Sequence, residues 1–102
     1  MRKIEKEMLA AINGGRDWSK DNTTVTIDRG AFRSYHADVY LHGNHIAYVW
    51  CRMGMPNRVV ANVETLAAYP TRTTMSRLRA LGVDVCTRKG VVYCNGWKIG
   101  EI

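Results

Sequence analysis

The sequence predicts an α+β fold, formed by a single domain over residues 1–102. An amphipathic segment opens the chain, and short segments with alternating apolar residues follow it. A second, shorter helical segment precedes a C-terminal hairpin. We therefore expect an antiparallel sheet of five or six strands with both helices on one face. A chain of 102 residues can form one such core without a disulfide or a metal.

The first predicted element is a helix over residues 2–13. Its apolar residues recur at helical spacing: Ile4, Met8, Leu9 and Ile12. Asn13-Gly14-Gly15 supplies a left-handed stop. After a polar linker that contains Trp18, residues 23–27 alternate as a half-buried strand and end at a turn signal.

The stretch between residues 34 and 51 predicts a β-hairpin. With Gly43 and Asn44 as its two loop residues, the hairpin has one apolar face and one mixed face. The apolar face is expected in the core: Val39, Leu41, Ile46, Tyr48 and Trp50. The mixed face then carries two notable cross-strand pairs, His42 with His45 and His36 with Cys51.

The remaining elements follow from turn residues and periodicity. Residues 58–66 predict a fourth strand, and Tyr69-Pro70 ends it. Thr73 or Thr74 is expected to cap a short helix that runs to about Leu81, with Gly82 at its stop. Its buried stripe is Met75, Leu78 and Leu81. The predicted C-terminal strands cover residues 83–86, 91–94 and 97–99.

Composition excludes several classes of protein. No stretch approaches the roughly 20 apolar residues of a membrane span, and the N-terminus lacks the features of a secretory signal, so we expect no membrane partner. Three cysteines without C-x-x-C spacing argue against a disulfide framework or a zinc knuckle. The net charge of +6 favours polyanionic partners.

No catalytic residues, metal ligands or cofactor site emerge from the sequence, and we expect no enzyme. His42 and His45 would be neighbours, but His36 would lie roughly 20 Å down the ladder, which is too far to complete a metal site. The His36/Cys51 pair has no third group to orient the histidine. No glycine-rich phosphate loop of a known type is present.

One anion site is suggested at the start of the second helix. A helix N-terminus favours negative charge, and hydroxyls and arginines cluster there: Arg72, Thr73, Thr74, Ser76 and Arg77. This segment is the first place to look for binding of an anionic nucleotide. The alternative is an ordinary helix cap with solvated arginines.

Two further surfaces are suggested. The last third of the chain is basic, since residues 71–98 hold six basic residues and one acid, and Arg79, Arg88 and Lys89 add to a possible nucleic-acid site. The alternative is spread charge that keeps a small protein soluble. Met53 and Met55 mark a loop that suits protein contact, although a plain loop explains them too.

Three blocks of the sequence resemble a group of small proteins from tailed bacteriophages. The blocks are N-T-T-V at residues 22–25, V-Y-L-H-G-N-x-I-A at residues 39–47, and L-A-A-Y-P-T-x-T-T-x-S-R-L-x-A-L-G at residues 66–82. The resemblance implies a phage accessory protein made in the cytoplasm of a bacterial host. It carries over no catalytic residues.

This resemblance implies a non-enzymatic protein that binds a host factor, of the host-takeover or anti-defence type. Binding of nucleic acid through the basic third, or of an anionic nucleotide, are the alternatives. A homodimer is also expected, because an edge strand such as residues 23–27 or the C-terminal strand can pair across a twofold axis.

Overall fold

The computed structural model describes residues 1–30, 33–52 and 54–101. Within these residues the chain forms three helices and eight strands. The helices are α1 (Lys3–Asn13), α2 (Val63–Ala68) and α3 (Arg72–Ala80). The strands are β1 (Trp18–Lys20), β2 (Thr23–Arg29), β3 (Ser34–Leu41), β4 (Asn44–Arg52), β5 (Arg58–Ala61), β6 (Val85–Arg88), β7 (Val91–Cys94) and β8 (Trp97–Glu101).

The strands form two antiparallel sheets, and the predicted α+β fold is confirmed. Strands β1 to β5 make a five-stranded sheet in sequence order, and β6 to β8 make a separate three-stranded sheet. α1 contacts β1 and β2, whereas α2 and α3 contact β4 and also reach the smaller sheet. One cluster of buried side chains, which includes Val25, Val49, Leu78 and Val92, joins both sheets to the helices. The other face of the five-stranded sheet carries no helix among the described residues.

The predicted register of the central hairpin is wrong. The two turn residues are His42 and Gly43, both with positive φ (52° and 80°), and Leu41 pairs with Asn44. Positive φ at both positions is what a type I′ turn requires. Ile46 is an extra residue, because Tyr40 pairs with His45 but Val39 pairs with Ala47. Because of this β-bulge, every residue of β4 after Ile46 lies on the side of the sheet opposite to the predicted one.

The bulge exposes two residues that the sequence placed in the core. Tyr48 is 42% exposed and Trp50 is 54% exposed, whereas Val49 is buried. Val39, Leu41 and Ile46 are buried as expected. The core prediction is therefore right as far as the bulge and wrong beyond it.

The predicted strand over residues 58–66 ends at Ala61. Asn62 caps helix α2, since its side-chain oxygen accepts a hydrogen bond from the Thr65 backbone amide at 3.2 Å. The Asn62 backbone amide also donates to the Ile46 carbonyl at 2.8 Å, which fixes α2 against the bulge. The apolar residues after Ala61 fit a strand or a helix, and the Asn62 cap favours the helix.

Helix α3 begins two or three residues earlier than predicted. Thr71 is the N-cap, in place of Thr73 or Thr74, and its Oγ1 accepts from the Thr74 amide at 3.1 Å. The buried stripe of Met75, Leu78 and Leu81 is confirmed. Gly82 follows with φ of +95°, a conformation that favours glycine at a helix stop.

The polar linker after α1 contains a short strand that was not predicted. β1 pairs with β2 and covers it, so residues 23–27 are not an edge of the sheet. The C-terminal strand β8 is an edge, and the hairpin predicted before it forms, but its first strand covers Val85–Arg88 instead of residues 83–86. No helix in the described ranges is long and apolar enough to cross a membrane.

Candidate functional site

The open side of β3 and β4 carries a group of aromatic and polar side chains. Register places His36 opposite Trp50, Asp38 opposite Tyr48, and Tyr40 opposite His45. We call this surface the aromatic face, and it consists of His36, Asp38, Tyr40, His45, Tyr48 and Trp50. The buried side of the same strands packs against the helices, so these side chains face outward.

Asp38 lies between the two histidines of the aromatic face. Its carboxylate oxygens lie 3.0 Å from His45 Nε2 and 3.4 Å from His36 Nε2. The other ring nitrogen of His45, Nδ1, lies 3.1 Å from the Asn62 side-chain nitrogen, so Asn62 both caps α2 and orients this ring. When the Asn62 amide donates a hydrogen bond to Nδ1, the His45 ring has its hydrogen on Nε2 and donates a hydrogen bond from it to Asp38 Oδ1. The polar part of the face is thus held in one arrangement.

The rings of the aromatic face contact each other along the two strands. The centroids of His45 and Tyr48 are 4.4 Å apart, those of His36 and Trp50 are 5.2 Å apart, and those of Tyr40 and His45 are 5.3 Å apart. Such tilted and edge contacts restrain exposed rings. A ring that is already restrained loses little entropy when a partner covers it.

The charge around the aromatic face is balanced. Asp28 of β2 lies opposite His36 of β3. Asp28 and Asp38 are the two carboxylates beside the rings. Arg58 pairs with Trp50, and Arg52 follows Trp50 on the same side of β4, which supplies two guanidinium groups. The excess positive charge of the protein therefore lies elsewhere.

Sequence reasoning missed Tyr48 and Trp50 as surface residues. Both alternating sets of β4 are apolar, one containing Tyr48 and Trp50 and the other Ala47, Val49 and Cys51. Periodicity therefore did not show which of the two sets faces the core. Residue type carried a usable signal, because small residues and valine are buried more often than tyrosine, whose hydroxyl needs a polar partner.

The predicted anion site already holds a carboxylate of the protein itself. Glu5, on α1, accepts hydrogen bonds at Oε2 from Ser76 Oγ at 2.6 Å and from Arg77 Nη1 at 2.8 Å. Arg77 is buried and also donates from Nε to Thr23 Oγ1 at 3.1 Å. Ser76 and Arg77 thus join helix α3 to α1 and β2. Thr74 is buried too, and its hydroxyl lies 3.0 Å from Thr71 Oγ1.

The Glu5 carboxyl predicts an acid-dependent loss of stability. Burial raises its pKa, but hydrogen bonds from Ser76, Arg77 and the Arg2 backbone outweigh burial, so the pKa is lowered below 4.5. A group with a lowered folded pKa stabilises the fold above its unfolded pKa, and this contribution is lost as the pH falls through the folded pKa. We expect the urea midpoint of the wild type to exceed that of Glu5→Gln at pH 7, and the difference to shrink towards pH 3. A constant difference across this range would contradict the assignment.

The other members of the predicted sites lie on the surface. Arg72 is exposed at the start of α3, and Arg88 and Lys89 are exposed at the turn between β6 and β7. Thr73 is half-buried, and Arg79 donates from Nε to the Val85 carbonyl at 2.9 Å. Their role in binding an anion or nucleic acid stays a prediction.

Of the two loop methionines, Met55 is 59% exposed and lines a cavity beside Trp50. Met53 lies outside the described residues. Protein contact through this loop also stays a prediction.

The histidine pairs predicted from the sequence do not form. His42 lies in the turn, so Tyr40 is the partner of His45, and Trp50, not Cys51, is opposite His36. Among residues 1–30, 33–52 and 54–101, no group of three His, Cys, Asp or Glu side chains is arranged to hold a metal ion. Burial raises the pKa of the Cys51 and Cys94 thiols, which favours their protonated form over the nucleophilic thiolate.

Comparison with protein families gives a match to the chain. A family model described as Kyanoviridae Gp96 protein matches residues 1–100, which is nearly the whole chain. No curated protein and no solved structure matches the sequence at a significant level.

Proposed function

Since the chain belongs to the Kyanoviridae Gp96 protein family of bacteriophage proteins, we propose that it is a non-enzymatic accessory protein that binds a host protein through the aromatic face. The observation that carries this proposal is the outward placement of Tyr48 and Trp50 on an uncovered sheet. Monomeric proteins rarely leave such a surface open without a binding role, and tyrosine and tryptophan are enriched in the centres of protein interfaces.

The charge balance of the aromatic face indicates the chemistry of the partner. Two carboxylates and two guanidinium groups flank the rings, so the face as a whole presents charges of both signs. A protein surface with apolar side chains at its centre and charges of both signs at its rim complements it. We therefore assign the face to a protein partner in the host cytoplasm, of the host-takeover or anti-defence type.

The absence of enzymatic activity is part of the same proposal. The histidines of the face bond to Asp38 and Asn62, and Asp38 is the one carboxylate of the described residues that contacts both rings. Cys51 and Cys94 are buried, and burial raises the pKa of both thiols. Nothing in this arrangement favours nucleophilic or metal-assisted chemistry over binding.

Affinity purification with matched tyrosine variants tests the proposal. Tyr48 lies at the centre of the aromatic face, whereas Tyr69 follows α2, and the two are similarly exposed at 42% and 52%. We expect Tyr48→Ala to weaken partner binding by about 2 kcal/mol or more, which is roughly thirtyfold, because central aromatic residues dominate interfaces. Tyr69→Ala should bind like the wild type.

The readout is a host protein recovered in stoichiometric amount from the bacterial host. Both variants are first compared with the wild type by thermal unfolding, so that loss of fold is not mistaken for loss of binding. Equal retention by Tyr48→Ala and the wild type, or selective loss in Tyr69→Ala, would move the interface away from this face.

A further inference from the structure

The geometry points to a second site, a cavity of about 550 Å³ that binds a nucleoside phosphate. It lies at the end of the aromatic face, between β4, the start of β5 and the connection between them. Its described lining consists of Ser34, Trp50, Cys51, Arg52, Met55, Pro56 and Arg58. This volume is within the roughly 300 to 1,000 Å³ typical of small-molecule sites.

Two guanidinium groups at this cavity have no partner among the residues that the structure describes. Arg58 lies directly opposite Trp50, on the neighbouring strand β5. Arg52 lies two residues after Trp50 in β4, opposite Ser34 of β3. Both arginines are exposed, and neither forms an ion pair or a side-chain hydrogen bond with any described residue. No Asp or Glu is among the described lining residues. The unpaired forks of both arginines suit a phosphate group.

Trp50 gives the same cavity a surface for a planar group. Its side chain is 54% exposed, and the ring contact with His36, 5.2 Å between centroids, restrains it. Met55 and Pro56 add apolar wall on the loop side. An exposed indole stacks well on a nucleobase, whatever the base, since every base has a π-face.

The pairing of these groups selects the class of ligand. A bare phosphate would use the arginines and leave the indole uncovered, and a nucleoside would use the indole and leave the arginines unpaired. A nucleoside phosphate uses both, with its base on Trp50 and its phosphate at Arg52 and Arg58. This site is independent of Tyr48, which does not line the cavity.

Calorimetric titration of the wild type with the four ribonucleoside 5′-monophosphates tests the site. We expect saturable binding, and at least about tenfold weaker binding for the nucleoside alone or for inorganic phosphate alone. Trp50→Ala and the double variant Arg52→Ala/Arg58→Ala should each weaken nucleotide binding by about tenfold or more.

Matched controls lie outside the cavity. Trp97 is 77% exposed on β8, and Arg16 is exposed after the end of α1, so Trp97→Ala and Arg16→Ala should bind nucleotide like the wild type. Tyr48→Ala should also bind nucleotide normally, which separates this site from partner binding. Thermal unfolding verifies that every variant is folded.

A nucleoside phosphate can be a free nucleotide or one unit of a single strand, and a short single-stranded oligonucleotide distinguishes the two. Binding of either ligand that depends on Trp50 and on the arginine pair supports the site. The ligand that binds more tightly shows whether the site takes a free nucleotide or a single strand. The proposal is overturned if neither binds, if inorganic phosphate binds as tightly as the nucleotide, or if the cavity variants bind like the wild type.

Discussion

Replacing Val49 by aspartate should unfold the protein at neutral pH. Val49 is 1% exposed and lies in the layer between the five-stranded sheet and the helices. A carboxylate there would lie opposite Ala37 and Val59, which supply no positive charge. An unpaired buried charge costs several kcal/mol, a large part of the roughly 5 to 15 kcal/mol that stabilises a domain. Circular dichroism and urea titration at pH 7 measure the loss.

The neighbouring substitution Trp50→Asp is the control for this prediction. Trp50 is 54% exposed, and Arg58 lies opposite it, so the new carboxylate stays hydrated and gains a cation. We expect its free energy of unfolding to fall by about 1 kcal/mol or less, as is usual for a surface site. If Trp50→Asp unfolded the protein and Val49→Asp left it folded, β4 would face the other way and the bulge at Ile46 would be wrong.

The variant Arg77→Met should lose about 3 to 5 kcal/mol of stability, which is the usual cost of removing one partner of a buried ion pair. The loss arises because Glu5 stays buried and, of its donors in the described part of the chain, keeps Ser76 and the Arg2 backbone amide. Urea unfolding at pH 7 measures this change. The double variant Glu5→Leu/Arg77→Met should recover most of the loss, since both charges are then removed.

Arg72→Met is the matched control, because Arg72 is on the same helix but exposed. Its free energy of unfolding should change by less than about 0.5 kcal/mol. If Arg77→Met were equally harmless, or if the double variant were no more stable than Arg77→Met, the bond between α1 and α3 would not contribute as we describe.

Local patterns sufficed for the elements whose residues have one clear preference. The stripe of Met75, Leu78 and Leu81 fixes helix α3, and the Lys89-Gly90 turn fixes the C-terminal hairpin, with φ of 51° and 78°. Both predictions hold because periodicity and turn chemistry agree there. The N-terminal helix was predicted for the same reason, from helical spacing and a glycine stop.

The errors arise where a local pattern fits two structures. The hairpin sequence offers His42-Gly43 and Gly43-Asn44 as turns, and the choice depends on a bulge that lets both Ile46 and Ala47 face the core. The segment after Ala61 is apolar enough for a strand, and the bond from Asn62 to the Ile46 carbonyl favours the helix. Each decision rests on contacts between residues distant in sequence, which periodicity does not record.

The candidate site shows the same limit. His36 and His45 were placed on the mixed face of the hairpin, but the two residues that make this face a binding surface, Tyr48 and Trp50, were placed in the core. Ser76 and Arg77 were predicted to hold an anion from solution. Their partner Glu5 is 71 and 72 residues away in the sequence, so only the packing of α1 against α3 reveals the pairing.

Fluorine NMR of the protein labelled with 3-fluorotyrosine tests most directly whether the aromatic face binds the host protein. The chain has five tyrosines, and single Tyr→Phe variants assign their signals. When the captured partner is added, the signals of Tyr40 and Tyr48 should shift or broaden, while those of Tyr69 and Tyr93 stay unchanged. A shift at Tyr69 or Tyr93 with Tyr40 and Tyr48 unaffected would contradict the account.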